Sequence, residues 1–212
     1  MTPIEIHNEQ LAGHIIKHLE RRNFNAHYCA TAAEAIHLVK SLIPKGSSIS
    51  WGGSQTIREM GLTRELIGSE AYKIIDRDLA VTDEEKTRCY LQAMSVDFFL
   101  TSANAITQDG VIVNIDGRGN RVAAITWGPK NVIHIIGMNK VTPTIEAALA
   151  RARNVAAPIN TARLGCNTPC HLDGVCHNCN APQCICNYIH FIRNGFPAHR
   201  HTVVLVGENW GY

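Results

Sequence analysis

Cys166, Cys170, Cys176, Cys179, Cys184 and Cys186 fall inside one short stretch that also holds His171 and His177, whereas Cys29 and Cys89 stand alone. Thiolates are metal ligands. Cys170-x5-Cys176-x2-Cys179-x6-Cys186 offers four of them, two at the separation that lets a tight loop turn both sulfurs toward one metal. Free cysteines are common in cores but do not concentrate in this way, and disulfide frameworks belong to oxidising compartments. Metal binding is the reading that remains, with Cys166 and Cys184 as a surplus pair. Structural zinc sites ordinarily pair two short Cys-x2–4-Cys knuckles, and only one is present here. A [4Fe–4S] cluster accommodates the wider spacing, so iron–sulfur is favoured with zinc as the alternative, although the ferredoxin run Cys-x2-Cys-x2-Cys-x3-Cys-Pro is absent. His171 and His177 are expected to donate hydrogen bonds or face solvent rather than ligate.

A second constellation is Ser50-Trp51-Gly52-Gly53-Ser54, where a strand hands over to a helix. Glycines there let a phosphate or carboxylate approach backbone N–H groups, and a plain turn capped by Ser54 is the competing reading. Ser102 and Asn104 close another apolar strand. In parallel α/β sheets ligands sit outside the strands' carboxyl ends, so Ser54, Ser102 and Asn104 are expected to converge on one crevice. Asp109, Asn114 and Asp116 are further ligand-binding candidates, although turns call for Asp-Gly in any case. Arg121 and Lys140 are candidate anion partners.

The elements that must carry these residues are legible from periodicity. Leu11, Ala12, Ile15, Ile16 and Leu19 mark an amphipathic helix over residues 5–22. Thr31 to Glu34 and Thr82 to Glu85 have capping-box spacing, each ahead of a helix. SSISW, AYKIID, VDFFLTS, GVIVNI, RVAAITW and NVIHIIG read as strands, separated by turn formers such as Asp116-Gly117 and Gly128-Pro129. Thr142 with Pro143 predicts a helix to about Val155. TVVLVGE reads as a last strand rejoining the sheet. The expected fold class is α/β: one domain over residues 1–212, an open, mostly parallel sheet with helices on both faces. Residues 166–187 form a Cys-rich metal-binding loop inserted before the last strand.

The 212 residues are 45% hydrophobic and 18% charged with a formal net charge of +2. That balance describes a globular chain and gives no basic face for nucleic acid. No run of about 18 apolar residues occurs, so no membrane span is expected. MTPIEIHNEQ lacks a basic region followed by an apolar core and a cleavage site, so the expected location is the cytoplasm, where thiols stay reduced.

Several ordered segments carry a resemblance: SISWGGSQTIREMGL, TSANAITQDGVIVNIDGRGNRVAAITWGPKNVIHIIGMNKV, ARARNVAAPINTARL, TPCHLDGVCHNCNAPQCICN and VVLVGENWGY. Together they resemble the lactate-utilization (LUD) domain family, formerly an uncharacterised domain family, over nearly the whole chain. The resemblance implies a fold similar to ribose-5-phosphate isomerase and coenzyme A transferases. It also implies a place in a multi-protein system that oxidises L-lactate to pyruvate through iron–sulfur subunits, as a candidate oxidoreductase component with other lactate-utilization subunits as partners. At matching positions it makes Gly52, Gly53 and Ser54 the anion turn, Ser102, Asn104 and Asp109 a polar wall, and Cys170, Cys176, Cys179 and Cys186 the cluster ligands. Gln108 departs from the acidic residue expected there, which weakens any carboxylate-dependent proton transfer, and there is no ferredoxin-type domain. Two alternatives stand beside the redox component binding a small anionic metabolite. One is a sugar-phosphate isomerase-like enzyme with structural zinc, using Asp109 or Asp116 as base; the other is a ligand-binding regulator without turnover.

Overall fold

The computed structural model describes residues 1–212. Helix α1 (Pro3–Arg21) starts at a capping box between Thr2 and Glu5 and buries Ala12, Ile15 and Leu19. After β1 (Asn25–Cys29), α2 (Ala32–Leu42) is capped by the Thr31 hydroxyl, which accepts from Glu34 N–H. The Glu34 carboxylate accepts from Ala30 N–H instead of Thr31, so only half of the expected box closes. Strand β2 (Ser48–Trp51) breaks at Gly52-Gly53 into two short helices, α3 (Gln55–Glu59) and α4 (Leu62–Ile67). Strand β3 (Lys73–Ile75) then leads through a 3-10 turn, Arg77–Leu79, to α5 (Asp83–Ala93), whose Thr82 and Glu85 complete both halves of their box.

Three strands follow, β4 (Phe98–Thr101), β5 (Ala105–Thr107) and β6 (Ile112–Asp116). RVAAITW, expected as a strand, is helix α6 (Asn120–Thr126). The Asp116 carboxylate accepts from the N–H groups of Arg118 and Gly119, and Gly119 takes φ 84°, which turns the chain into the helix. Val122 and Ile125 then share a buried face while Ala123 is exposed. An unbroken apolar run does not by itself separate a buried strand from a short helix.

Strand β7 (Asn131–Gly137) ends in a 3-10 turn, Met138–Lys140, and β8 (Val141–Thr142). The next helix is capped by Thr144, not Thr142, because the Thr142 hydroxyl donates to Ile106 O. It runs as α7 (Ile145–Arg151) through a π-helical segment, Ala152–Ala156, into α8 (Ala157–Leu164). The remaining elements are α9 (Pro169–Asp173), β9 (Tyr188–Ile192) and β10 (His201–Val206).

The single expected sheet is two. Strands β1-β10-β7-β4-β2-β3 form a six-stranded parallel sheet, and β8-β5-β6-β9 form a four-stranded one with antiparallel β5/β6 and β6/β9 pairs. One face of the parallel sheet packs Ile133, Ile135 and Val204 against α2, α3 and α4. The other packs Val132, Ile136 and Leu205 against α1, α6 and the inner face of the smaller sheet, represented by Ile106, Ile112 and Ile192. Helix α7 covers the outer face at Val113 and Ile115. GVIVNI, read as part of the parallel sheet, is the buried centre of the smaller one. The fold is α/β with parallel and antiparallel pairing and flanking helices. No helix is long and apolar enough to cross a membrane.

Candidate functional site

The segments after β2, β3, β4 and β7 open together into a crevice of about 820 Å³, closed on its far side by the β6–α6 turn, α8 and Ile185. This is the carboxyl-end geometry in which open α/β sheets take ligands. Arg77, Lys86, Arg118, Arg121, Lys140 and Arg163 line it, opposed by the carboxylates of Asp78, Asp83 and Asp116. Arg58 and Arg77 pair with Asp78, Lys86 with Asp83 and Arg121 with Asp116. The surplus is positive, which suits an anionic ligand.

The expected residues divide. Gly53, Ser54, Ser102, Asn104 and Asp116 all line the crevice. Ser54 does not cap α3; its buried hydroxyl has no hydrogen-bond partner within the chain. Gly52, expected beside these residues, is not part of the lining; Arg121 lies over it, as Arg77 lies over Gly53. A Cβ on Gly52 would stand 2.9 Å from Arg121 Cγ, and one on Gly53 would stand 2.5 Å from Arg77 Nη2. The Asn104 Oδ1 atom accepts from Ile115 N–H and from Arg121 Nη2, so it holds the arginine in place. Asp116 holds Arg121 Nε at 3.2 Å while shaping its own turn.

Asp109 is not in the crevice. Its carboxylate accepts from Thr107 Oγ1 at 2.5 Å and pairs with Arg22 at 2.6 Å, in the β5–β6 turn against the end of α1. The Thr107 hydroxyl, with Arg22, holds its carboxyl below the usual range. Asn114 is also absent from the lining: it lies fully buried on β6 opposite His190 of β9, with neither amide atom partnered within the chain.

Lys140 is the residue whose importance spacing understated. It is 2% exposed, and its Nζ donates to Thr56 Oγ1 at 2.7 Å and to Ser102 Oγ at 3.1 Å. Burial, with Arg151 and Arg121 nearby, lowers its pKa to about 7. A lone charge in the turn after an apolar strand was the available signal, and it carried no indication of depth.

The cysteines surround a second cavity, of about 230 Å³. Cys170, Cys176, Cys179, Cys184 and Cys186 line it, so four expected ligands meet there and Cys184 joins them. Cys166 lines the large crevice instead. The closeness of Cys184 to Cys186 was the missed signal: a bend at Ile185 brings both thiols to the cavity, and Cys186 N–H donates to Cys184 Sγ at 3.4 Å. All eight cysteines are free thiols. Burial pushes the Cys186 thiol up to about 12, and Cys184, Cys176 and Cys170 add to the effect. No group of three or more His, Cys, Asp or Glu side chains is gathered closely enough to hold one metal ion. His177 pairs with Asp173 at 2.7 Å.

Residues 12–206 match the LUD domain family. The chain belongs to the LUD domain family. A crystal structure of a DUF162 family protein from Deinococcus radiodurans aligns with 94% of this chain and 97% of its own at 12% identity, with a TM-score of 0.54. A translation initiation factor eIF-2B from Pyrococcus horikoshii OT3 aligns with 54% of this chain and 48% of its own at 19% identity and a TM-score of 0.38. No curated protein matches.

Within this LUD domain the two cavities are neighbours, because Ile115 and Ile185 line both. The Cys loop is tied down there: Asn187 Nδ2 donates to Gly117 O, and Ile185 Cα lies 3.3 Å from where a Gly117 Cβ would stand.

Proposed function

We propose that this LUD domain protein is a redox component that binds a small carboxylate or phosphate ligand in the basic crevice and a [4Fe–4S] cluster in the cysteine cavity. It acts with other lactate-utilization subunits in the cytoplasm, in the oxidation of L-lactate or a similar organic acid. The observation that carries the reading is the shared wall at Ile115 and Ile185, which sets a thiol-lined cavity against an anion-suited crevice. The donor set fits a cluster. Five soft thiols line one cavity, with His177 beside them, and wide thiolate spacing of this kind is what a cluster accepts. Cys170, Cys176, Cys179 and Cys186 would hold it, with Cys184 as the adjoining fifth thiol. When bound, such a cluster supplies one-electron transfer.

The chain's own residues do the rest. Arg121, oriented by Asp116 and Asn104, meets the ligand's negative charge, and the unpartnered Ser54 hydroxyl donates to it. Ile115 and Ile185 give the boundary between the cavities an apolar surface.

Anaerobic purification followed by iron and acid-labile sulfide assays tests the cluster, with about four of each per chain expected. Colourless protein holding stoichiometric zinc overturns the redox reading. Titration with L-lactate, pyruvate and inorganic phosphate, followed by melting temperature, tests the crevice; a shift that persists in Arg121→Met overturns that assignment.

A further inference from the structure

Lys140 is a fully buried lysine without a carboxylate. None of the ion pairs in the molecule involves it, and both partners of its Nζ are neutral hydroxyls, those of Thr56 and Ser102. The charges acting on it from its surroundings are mostly positive, Arg151 and Arg121, with Glu59 opposing them. A buried ammonium without a counter-ion is costly, so the group escapes the cost by shedding its proton. A neutral primary amine on the wall of a ligand crevice is a nucleophile toward carbonyl carbon. The Thr56 hydroxyl is committed elsewhere, donating to Trp210 O at 3.3 Å, so it accepts from Nζ and fixes its direction. The crevice lining around Lys140 includes the buried Ser54 hydroxyl and Arg121, groups that suit the acidic end of a ligand.

We propose that Lys140 Nζ forms a Schiff base with the aldehyde or ketone of an anionic ligand held in the crevice, a 2-oxo acid or a phosphorylated carbonyl compound. The amine adds to the carbonyl carbon to give a carbinolamine. Loss of water then leaves a C=N bond to Nζ; the carbonyl oxygen departs with the two amine protons, and no oxidant or reductant is consumed. The proposal rests on the crevice being an anion site, and it is independent of the cluster.

The test uses the full-length protein at pH 7 with pyridoxal 5′-phosphate as the phosphorylated carbonyl probe and pyruvate as the 2-oxo acid. Borohydride reduces the first adduct and cyanoborohydride the second, and peptide mass spectrometry locates the label. Lys140 is expected to label at least roughly tenfold ahead of the exposed Lys17, Lys45 and Lys73, because burial lowers its own pKa to about 7. Label on the exposed lysines with Lys140 spared by both probes, in protein whose melting temperature still responds to phosphate, overturns the proposal and leaves the anion site standing. Lys140 labelled equally by pyridoxal and its 5′-phosphate, with no protection by inorganic phosphate, supports the amine and overturns the anion site. Label by one probe alone assigns the carbonyl class. In Lys140→Met the crevice label is expected to vanish while iron content is unchanged.

Discussion

Asp109 and Asp116 are the same side chain on two turns bordering β6, and their neighbours give them different work. Asp109 joins Thr107 and Arg22 at a half-exposed site away from the crevice, so Asp109→Asn is expected to cost about 1 kcal/mol and leave phosphate binding unchanged. Asp116 is buried, accepts from two backbone N–H groups and holds Arg121; Asp116→Asn is expected to cost about 1.5–3 kcal/mol and to weaken phosphate binding. Denaturant unfolding and the ligand-induced melting shift check both. Lys140 adds a pH signature. Its pKa falls from 10.5 in an unfolded chain to about 7 in the fold, so between those values the unfolded state binds more protons and stability rises with pH. Below about pH 7 the whole penalty is present. Lys140→Met is therefore expected to gain most over the wild type below that pH and to lose the advantage toward the unfolded pKa. Chemical denaturation across this range reads the slope, and parallel curves for the two proteins would contradict the assignment.

Among the elements, the capping boxes show where local chemistry suffices. Thr82 and Glu85 satisfy each other's backbone N–H groups within one turn, so their spacing located α5. Strands β7 and β10 were equally legible, as apolar runs bounded by turns. Helix α6 was not, because its identity depends on Gly119 in the left-handed region and on an Asp116 carboxylate folding back to cap the turn, both invisible to hydrophobic pattern. The division into two sheets was also hidden, since β5, β8 and β9 are short or exposed and acquire strand character only by pairing with distant partners. The site followed the same rule: residues at strand ends, Ser54, Ser102 and Asn104, did converge, whereas the fate of Asp109 was set by Arg22, far away in sequence. Gly119→Ala tests the α6 account. At φ 84° an L side chain costs about 1–2 kcal/mol, and its Cβ would meet Tyr188 at 3.3 Å. Loss of stability is expected together with weaker phosphate binding, because α6 carries Arg121; a variant as stable as the wild type would place the entry to α6 elsewhere.

At the scale of the molecule, the Cys loop and the parallel sheet are separable in stability but joined at the site. Neither core flanking the parallel sheet draws a residue from 166–187; only Cys186 packs against the small cluster under α7. The two cores of the sheet are therefore complete without the Cys loop. The crevice is different, since Cys166 and Ile185 belong to its wall and Asn187 fastens the loop to Gly117. Cys170→Ala is accordingly expected to lose iron and remain folded. Hydrogen exchange should quicken over residues 166–187 and at the Gly117 turn, while β7 and β10 stay protected. With one wall loosened, phosphate affinity is expected to fall by roughly tenfold, about 1.4 kcal/mol. Exchange that rises equally in β7 and β10 would show that the loop and the sheet unfold together, and unchanged phosphate affinity would show that the loop does not shape the crevice.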